Sequence, residues 1–316
     1  MINAQPLVSV LIATYNQKDV VGETLQSVAL QSYRNIEIII SDDSSTDGTP
    51  EVLREFAARN SNVRLYLQKE NLGITKNYNF LASMARGGFV SIFSGDDIMV
   101  PSKIERQVEV LRNSVDASYC HHAVYDMEYR TNKIRRIISY AYVDSVTTID
   151  AVLRNMGVPG SMSVMYRKSM APSPAFDPRI KTASDWLNII HLTARGRGIY
   201  LDEPLCYYRR DDGYNQKDPT RYERDFVDTI EIARATYACN DAGIGRACDY
   251  ALSRFFLGAG YRRLIRGDIS VARDFFLRAT GDPKLRVGGL FFTALSYFPF
   301  AREMCSAIVR VYKRYF

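Results

Sequence analysis

Four short apolar runs fall within the first hundred residues: LVSVLIA (7–13), IEIIIS (36–41), VRLYL (63–67) and FVSIF (89–93). The first, second and fourth carry almost no polar alternation, the pattern of strands covered on both faces. Between them the spacing turns helical. Val21, Leu25 and Val28 predict a helix over 18–30, Thr49-Pro50 opens another with Val52 and Phe56 on one face, and Tyr78, Leu81, Ala82 and Ala85 mark a third. Strand and helix in this rhythm predict a parallel sheet with helices on both faces, and they place Tyr15, Asp42 and Asp96 along one edge, each just past a strand.

That edge is where an α/β sheet holds a charged ligand. No Walker A sequence and no GxGxxG follows any of the strands, so the usual phosphate cradles are missing. Asp96 and Asp97 end the fourth run, and no Cys or His stands near them at zinc spacing; carboxylates of this kind favour Mg²⁺ or Mn²⁺ shared with substrate phosphates. The plainer alternative for the pair is a turn with an N-cap before Pro101. Tyr15 suits stacking on a base and Asp42 suits accepting a base N–H, a pairing that fits uracil or thymine and leaves guanine open. Read singly, they are a turn tyrosine and an Asx turn. Lys76, in NLGITKNYN, offers a point charge for a phosphate.

Past Pro101 the pattern predicts a helix with Ile104, Val108 and Leu111 on one stripe, strands over 117–129 and 133–142, a short helix over 148–155, a strand over 162–167, a helix over 184–194 and a closing strand over 200–210. Asp185 opens the 184–194 helix. The helix N-terminus lowers its pKa and burial against Trp186 opposes that, so it is a candidate base as well as a helix cap. Cys120, His121 and His122 are a decoy for zinc. On a strand only Cys120 and His122 share a face, and two donors do not make the site. His191, six residues after Asp185, falls on the far face of its helix and is not its partner.

Together VSVLIATYN, IIISDDSSTDGT, NLGITKNYN, FVSIFSGDDIMVPSKI and SDWLNIIHLTARG closely resemble glycosyltransferase family 2, the inverting enzymes of GT-A fold that use nucleotide sugars. The similarity spans roughly 6–212, and five motifs in order make it specific. It implies a GT-A, Rossmann-like, mostly parallel sheet flanked by helices. It implies that Thr14, Tyr15, Asn16, Asp42, Lys76 and Gly95 hold the donor, that Asp96 binds the metal with Asp97 beside it, and that Asp185 is the general base. Many family members read D-x-D-D where this chain has Ser94-Gly95-Asp96-Asp97, and many carry an acid where Ser184 stands and Arg where Lys76 stands.

The expected organisation is a catalytic domain over 1–215, with a nucleotide half to about 115 and an acceptor half over 116–215, and a helical region over 216–316. The charge sits in the latter. From Arg254 onward twelve Arg or Lys face four Asp or Glu, a net +8, while the first 253 residues carry net −2. A basic tail rich in Phe, Tyr and Leu points to an anionic membrane surface rather than nucleic acid, with a solvated helix face or an oligomer interface as the plainer readings. The longest uncharged stretch, 287–301, is fifteen residues and contains Pro299, too short to cross a bilayer. Five scattered cysteines and an N-terminus without a basic n-region predict a reduced, cytoplasmic setting. The expected partners are a UDP- or dTDP-sugar and a glycan or lipid-linked glycan acceptor of bacterial surface polysaccharide assembly. A sugar-nucleotidyltransferase and a nucleotide-sugar-binding subunit without catalysis are the competing readings.

Overall fold

The computed structural model describes residues 5–210, 219–301 and 303–304. The first half alternates as the pattern predicts: β1 (Val8–Thr14), α1 (Lys18–Ala29), β2 (Ile36–Asp42), α2 (Thr49–Arg59), β3 (Val63–Leu67), α3 (Ile74–Met84) and β4 (Phe89–Ser94). Every residue of β1 and β2 is buried, as a strand covered on both faces requires. Then follow β5 (Ile98–Met99), α4 (Lys103–Asn113), β6 (Ala117–Glu128), β7 (Ile134–Ile138), β8 (Val146–Thr147), α5 (Ile149–Asn155), β9 (Met165–Arg167), α6 (Ser184–Thr193) and β10 (Arg197–Arg210).

The sheet runs β3-β2-β1-β4-β9-β6-β10-β5, with β7 beside β6 and β8 beside β10. Pairs β1–β2, β2–β3, β1–β4 and β6–β10 are parallel. The pairs made by β5, β7, β8 and β9 are antiparallel. The order reverses at β1, which lies between β2 and β4, so a crevice opens beyond the ends of β1 and β4. The core beneath is built from Val8, Val10 and Ile12 of β1, Leu25 and Val28 of α1, Phe93 of β4 and Ile104 and Val108 of α4.

The strand expected over 162–167 is shorter than predicted. Residues Ser161–Ser163 form a turn of 3₁₀ helix, and only Met165–Arg167 pair. The two-residue β5, directly after Asp97, has no counterpart in the sequence pattern.

The chain forms two compact units, Met1–Thr229 and Ile230–Phe316. The boundary expected at 215/216 lies outside the described residues, as do Arg302, Cys305, Arg310, Lys313 and Arg314. Helix α7 (Pro219–Tyr237) begins in the first unit. The second holds α8 (Ala242–Arg266), α9 (Ile269–Arg278) and α10 (Arg286–Leu295). Asp241 caps α8 by accepting from the Gly243 N–H at 2.7 Å, and Gly267, at φ +93°, ends it. Leu264, Ala272, Phe276, Leu295 and Ala301 make the small core of this unit. Among the described residues no helix is long and apolar enough to cross a membrane.

Candidate active site

Two loops at the crevice are sewn together by their own polar groups. Thr14 donates its hydroxyl to Asp42 Oδ1 at 3.0 Å, and Ser45 donates to the same carboxylate from its N–H at 2.9 Å and its hydroxyl at 2.5 Å. Asp42 is buried at the last position of β2, within the strand rather than past it. A carboxylate offers about four lone-pair sites. Three donors leave one of these sites unfilled.

Asn16 adopts φ +50°, donates its N–H to Ser45 Oγ at 2.8 Å and accepts the Thr46 N–H at 2.9 Å. Its side chain is a tie between loops. Tyr15 stands half exposed beside it.

Asp43, which sequence reasoning passed over, accepts the N–H groups of Leu72 at 2.7 Å and Gly73 at 3.0 Å, while Asn71 donates to its carbonyl at 3.1 Å. It fixes the start of α3, from which exposed Lys76 projects. Burial holds the Asp43 carboxyl above its ordinary value in spite of these donors.

At the end of β4 the chain has no room for a side chain. A Cβ on Gly95 would lie 2.3 Å from Gln17 Oε1 and 2.6 Å from Thr14 Cγ2. The Gly95 N–H donates to Ala13 O at 3.0 Å and its carbonyl accepts from Thr24 Oγ1 at 3.0 Å. The space a side chain would take is thus filled by the protein itself. Asp96 is partly buried, which raises its pKa, while the side chains of Ser94 and Gln17 hydrogen-bond it.

Asp97 differs. It is fully buried, its Oδ1 accepts the Arg209 N–H at 3.0 Å, and its Oδ2 has no hydrogen-bond partner among the described residues. Burial, then the charge of Asp96, pushes it well above the usual carboxylate range. Arg209 is itself buried, donating to the Asp96 carbonyl at 3.1 Å and to Asn132 Oδ1 at 3.2 Å, and it pairs with Glu23. Only contacts far apart in sequence reveal its place.

Asp185 sits in the first turn of α6 and accepts the Trp186 N–H. Of the two opposing influences expected from sequence, burial prevails and its pKa is raised. Trp186 is buried with its ring centroid 4.4 Å from that of Phe226. Ser184 accepts from Thr75 Oγ1 at 2.9 Å, tying α6 to α3. The loop before α6 is held by Asp225 of α7, which accepts the N–H groups of Lys181 at 3.1 Å and Thr182 at 2.5 Å.

Tyr208 relates the acids to one another. After burial, the negative charges of Asp97, Asp185 and Asp96 all raise its pKa. The turn after β4, the first turn of α6 and β10 thus act on one phenol.

The zinc decoy is dispersed. His121 Nε2 lies 2.7 Å from Thr147 Oγ1, among the rings of Tyr119, Tyr142 and Tyr200, and burial pushes it down to about 3. His122 Nδ1 donates to the Ala123 carbonyl at 2.7 Å, and Cys120 Sγ faces Gln107 O at 3.7 Å. Among the described residues no three His, Cys, Asp or Glu side chains are grouped to hold a metal.

The family model described as "Glycosyl transferase family 2" matches residues 9–172. An uncharacterised protein of Mycobacterium tuberculosis is 30% identical over 215 residues, 64% of this chain and 58% of that protein, so the chain spans little more than half of that relative's length. The putative teichuronic acid biosynthesis glycosyltransferase TuaG of Bacillus subtilis is 28% identical over 211 residues, 66% of this chain and 81% of that protein. Among solved structures, S. aureus TarS 1-349 in complex with UDP-GlcNAc has a TM-score of 0.66 at 18% identity, covering 86% of this chain and 81% of that one. The mannosyltransferase PcManGT from Pyrobaculum calidifontis, in complex with GDP-Man and Mn²⁺, has a TM-score of 0.63 at 16% identity, covering 96% and 84%. The structural likenesses establish a shared fold.

Proposed function

The chain belongs to glycosyl transferase family 2, and from that premise we propose an inverting transfer of a hexosyl or deoxyhexosyl group from a UDP- or dTDP-sugar to a glycan or lipid-linked glycan acceptor. The observation that supports this reading is that α3 ties the two acidic ends together, Thr75 donating to Ser184 beside Asp185 and Tyr78 donating to the Phe93 carbonyl at the end of β4, three positions before Asp96, although Asp96 and Asp185 lie 89 positions apart.

In this reading the base stacks on Tyr15 and its N–H fills the remaining acceptor site of Asp42. Asp185 removes the proton from an acceptor hydroxyl. The oxygen then bonds to the anomeric carbon from the side opposite the diphosphate, the bond from that carbon to the diphosphate oxygen breaks, and its electron pair leaves with the phosphate. One displacement inverts the centre. A raised pKa suits this role for Asp185, because a stronger base takes the proton more readily.

The donor set at the crevice suits a hard dication. Asp96 and Ser94 present oxygen only, and a single carboxylate with a hydroxyl fits Mg²⁺ or Mn²⁺, which complete their shells with phosphate and water. Such a dication, when bound, supplies charge neutralisation for the departing diphosphate. Asp97, buried and turned to β10, supports the turn. Lys76 adds a cation from α3.

The relative TuaG, a putative teichuronic acid biosynthesis glycosyltransferase, supports an acceptor in bacterial polysaccharide assembly. An O-antigen, lipopolysaccharide or capsule acceptor is part of the same proposal, as is a peripheral position on the cytoplasmic face of the membrane, which rests on the basic, aromatic-rich C-terminal sequence. The direct test is a thermal-shift panel of UDP, dTDP and GDP with and without Mn²⁺. UDP or dTDP raising the melting temperature in a Mn²⁺-dependent way is expected. A response to GDP alone, or to none of the three, would overturn the donor assignment.

A further inference from the structure

Helix α10 shows an unusual outer face. Val287, Leu290, Phe291 and Ala294 are exposed at i, i+3, i+4 and i+7, the spacing by which a helix normally covers a core. Its other side already does so, through Gly289 and Leu295. Past its end, Tyr297, Phe298 and Phe300 are also exposed, and together with Val287, Leu290 and Phe291 they range from 51% to 78% exposed.

This aromatic turn is built rather than loose. Arg273 of α9 donates Nε to Ser296 Oγ at 3.0 Å and a terminal nitrogen to Ser296 O at 2.9 Å, and its guanidinium carbon lies 3.7 Å from the Tyr297 ring centroid. Phe298 and Phe300 stack with centroids 6.1 Å apart. The sequence on either side of this turn is cationic. Lys284 and Arg286 are exposed at the start of α10, and from residue 283 to the end six Arg or Lys face a single Glu.

We propose that this face, Val287, Leu290 and Phe291 with Tyr297, Phe298 and Phe300, docks into the headgroup boundary of an anionic lipid bilayer. It deepens the membrane attachment in the proposed function, and it requires nothing of the transfer chemistry. Large aromatic side chains beside a basic rim match that boundary, where apolar burial and attraction to anionic headgroups act together. A second copy of the chain fits less well, because it would bring two cationic rims together. No membrane-crossing helix is needed.

The test is co-sedimentation of the full chain with vesicles of phosphatidylcholine alone or with added phosphatidylglycerol. Binding to the anionic vesicles that weakens with salt is expected. Phe298→Ser with Phe300→Ser should reduce partitioning roughly tenfold, since bound strength scales with buried apolar area, and Lys284→Glu with Arg286→Glu should remove the preference for phosphatidylglycerol. All four side chains are exposed, so an unchanged melting temperature certifies the fold. No binding by the unaltered chain, unaltered binding by the Phe pair, or a dimer that the Phe pair dissociates would overturn the proposal. So would loss of binding in a chain ending at Met304, which would assign it to residues 305–316. The vesicle assay contains no nucleotide, so its outcome and that of the thermal-shift panel are independent, and the membrane proposal can fail while the transferase reading stands.

Discussion

The backbone N–H of Arg209 donates to Asp97 Oδ1 at 3.0 Å, joining the second acid of the β4 turn to a strand 112 positions later. The bond commits one carboxylate oxygen to structure and leaves the other buried without a partner among the described residues. A carboxylate so placed resists ionisation.

Asp97→Asn therefore separates charge from shape. The folded pKa of Asp97 is raised, so its ionisation lowers stability as pH rises above the ordinary carboxylate value, and protonation at low pH removes the penalty. Asn keeps an acceptor for Arg209. The variant should melt higher than the parent at neutral pH and equally near pH 3, with the gap opening by up to about 1.4 kcal/mol per pH unit between the unfolded and folded pKa values. Denaturant titrations across that range check it, and a gap that shrinks as pH rises would contradict it.

Asp185→Asn should lower turnover by roughly 10²–10⁴ while the nucleotide affinity stays within about threefold, because a general base acts on the acceptor alone. The acid limb of kcat should lie above the ordinary aspartate pKa, since burial raises this carboxyl. Single-turnover rates beside equilibrium binding of UDP would decide. Near-parental turnover would remove Asp185 from the base role.

Gly95→Ala forces a Cβ to within 2.3 Å of Gln17 Oε1 and 2.6 Å of Thr14 Cγ2. Overpacking of this kind costs about 1–3 kcal/mol, and the displaced Thr14 should also weaken nucleotide binding. Gln17→Ala in the same chain relieves the nearer clash, so the double variant should regain part of the lost stability. Additive losses in a double-mutant cycle would show that the two residues do not compete for this space.

His121 and His122 predict an acid limb of the opposite sign to that of Asp97. Both imidazoles are buried and their pKa values lowered, His121 to about 3, so the stability each contributes is complete above about pH 6.5 and is lost as pH falls through the window below. The slope is at most about 1.4 kcal/mol per pH unit for each histidine. His122→Gln should flatten the curve below about pH 6.5; an unchanged slope there would mean that His122 ionises freely in the folded chain.

The β1 to β4 framework could be read in the sequence because Val8, Val10, Ile12 and Ile38 to Ile40 must all be buried, and only a strand between two helical layers does that. Legibility falls where long-range contacts decide. Ile98 and Met99 are too few to show a period, and they become a strand only against Tyr207 and Cys206. Lys103 resembles an ordinary solvated first turn of an amphipathic helix. It is buried, donating to Ser91 Oγ and Gln107 Oε1 at 2.9 Å each, and Ser91 belongs to a strand legible only as apolar. Arg209 and Asp43 escape sequence reading for the same reason, since their partners lie 77 to 186 and up to 30 positions away. Thr14, Asp42 and Asp96 stand out by their place after apolar runs, whereas the tie that Asn16 makes between two loops has no signature short of the fold.

That tie has a further consequence. Asn16 and Ser45 lock the turns after β1 and β2 to each other, and Gln17 extends the seam by donating its N–H to Thr49 Oγ1 at 2.9 Å. Ordering entropy for these turns is then a cost of folding, not of association. An incoming nucleotide meets a rim already in shape, and the amide hydrogens of Asn16, Gln17 and Thr46 should exchange slowly with solvent before any ligand arrives.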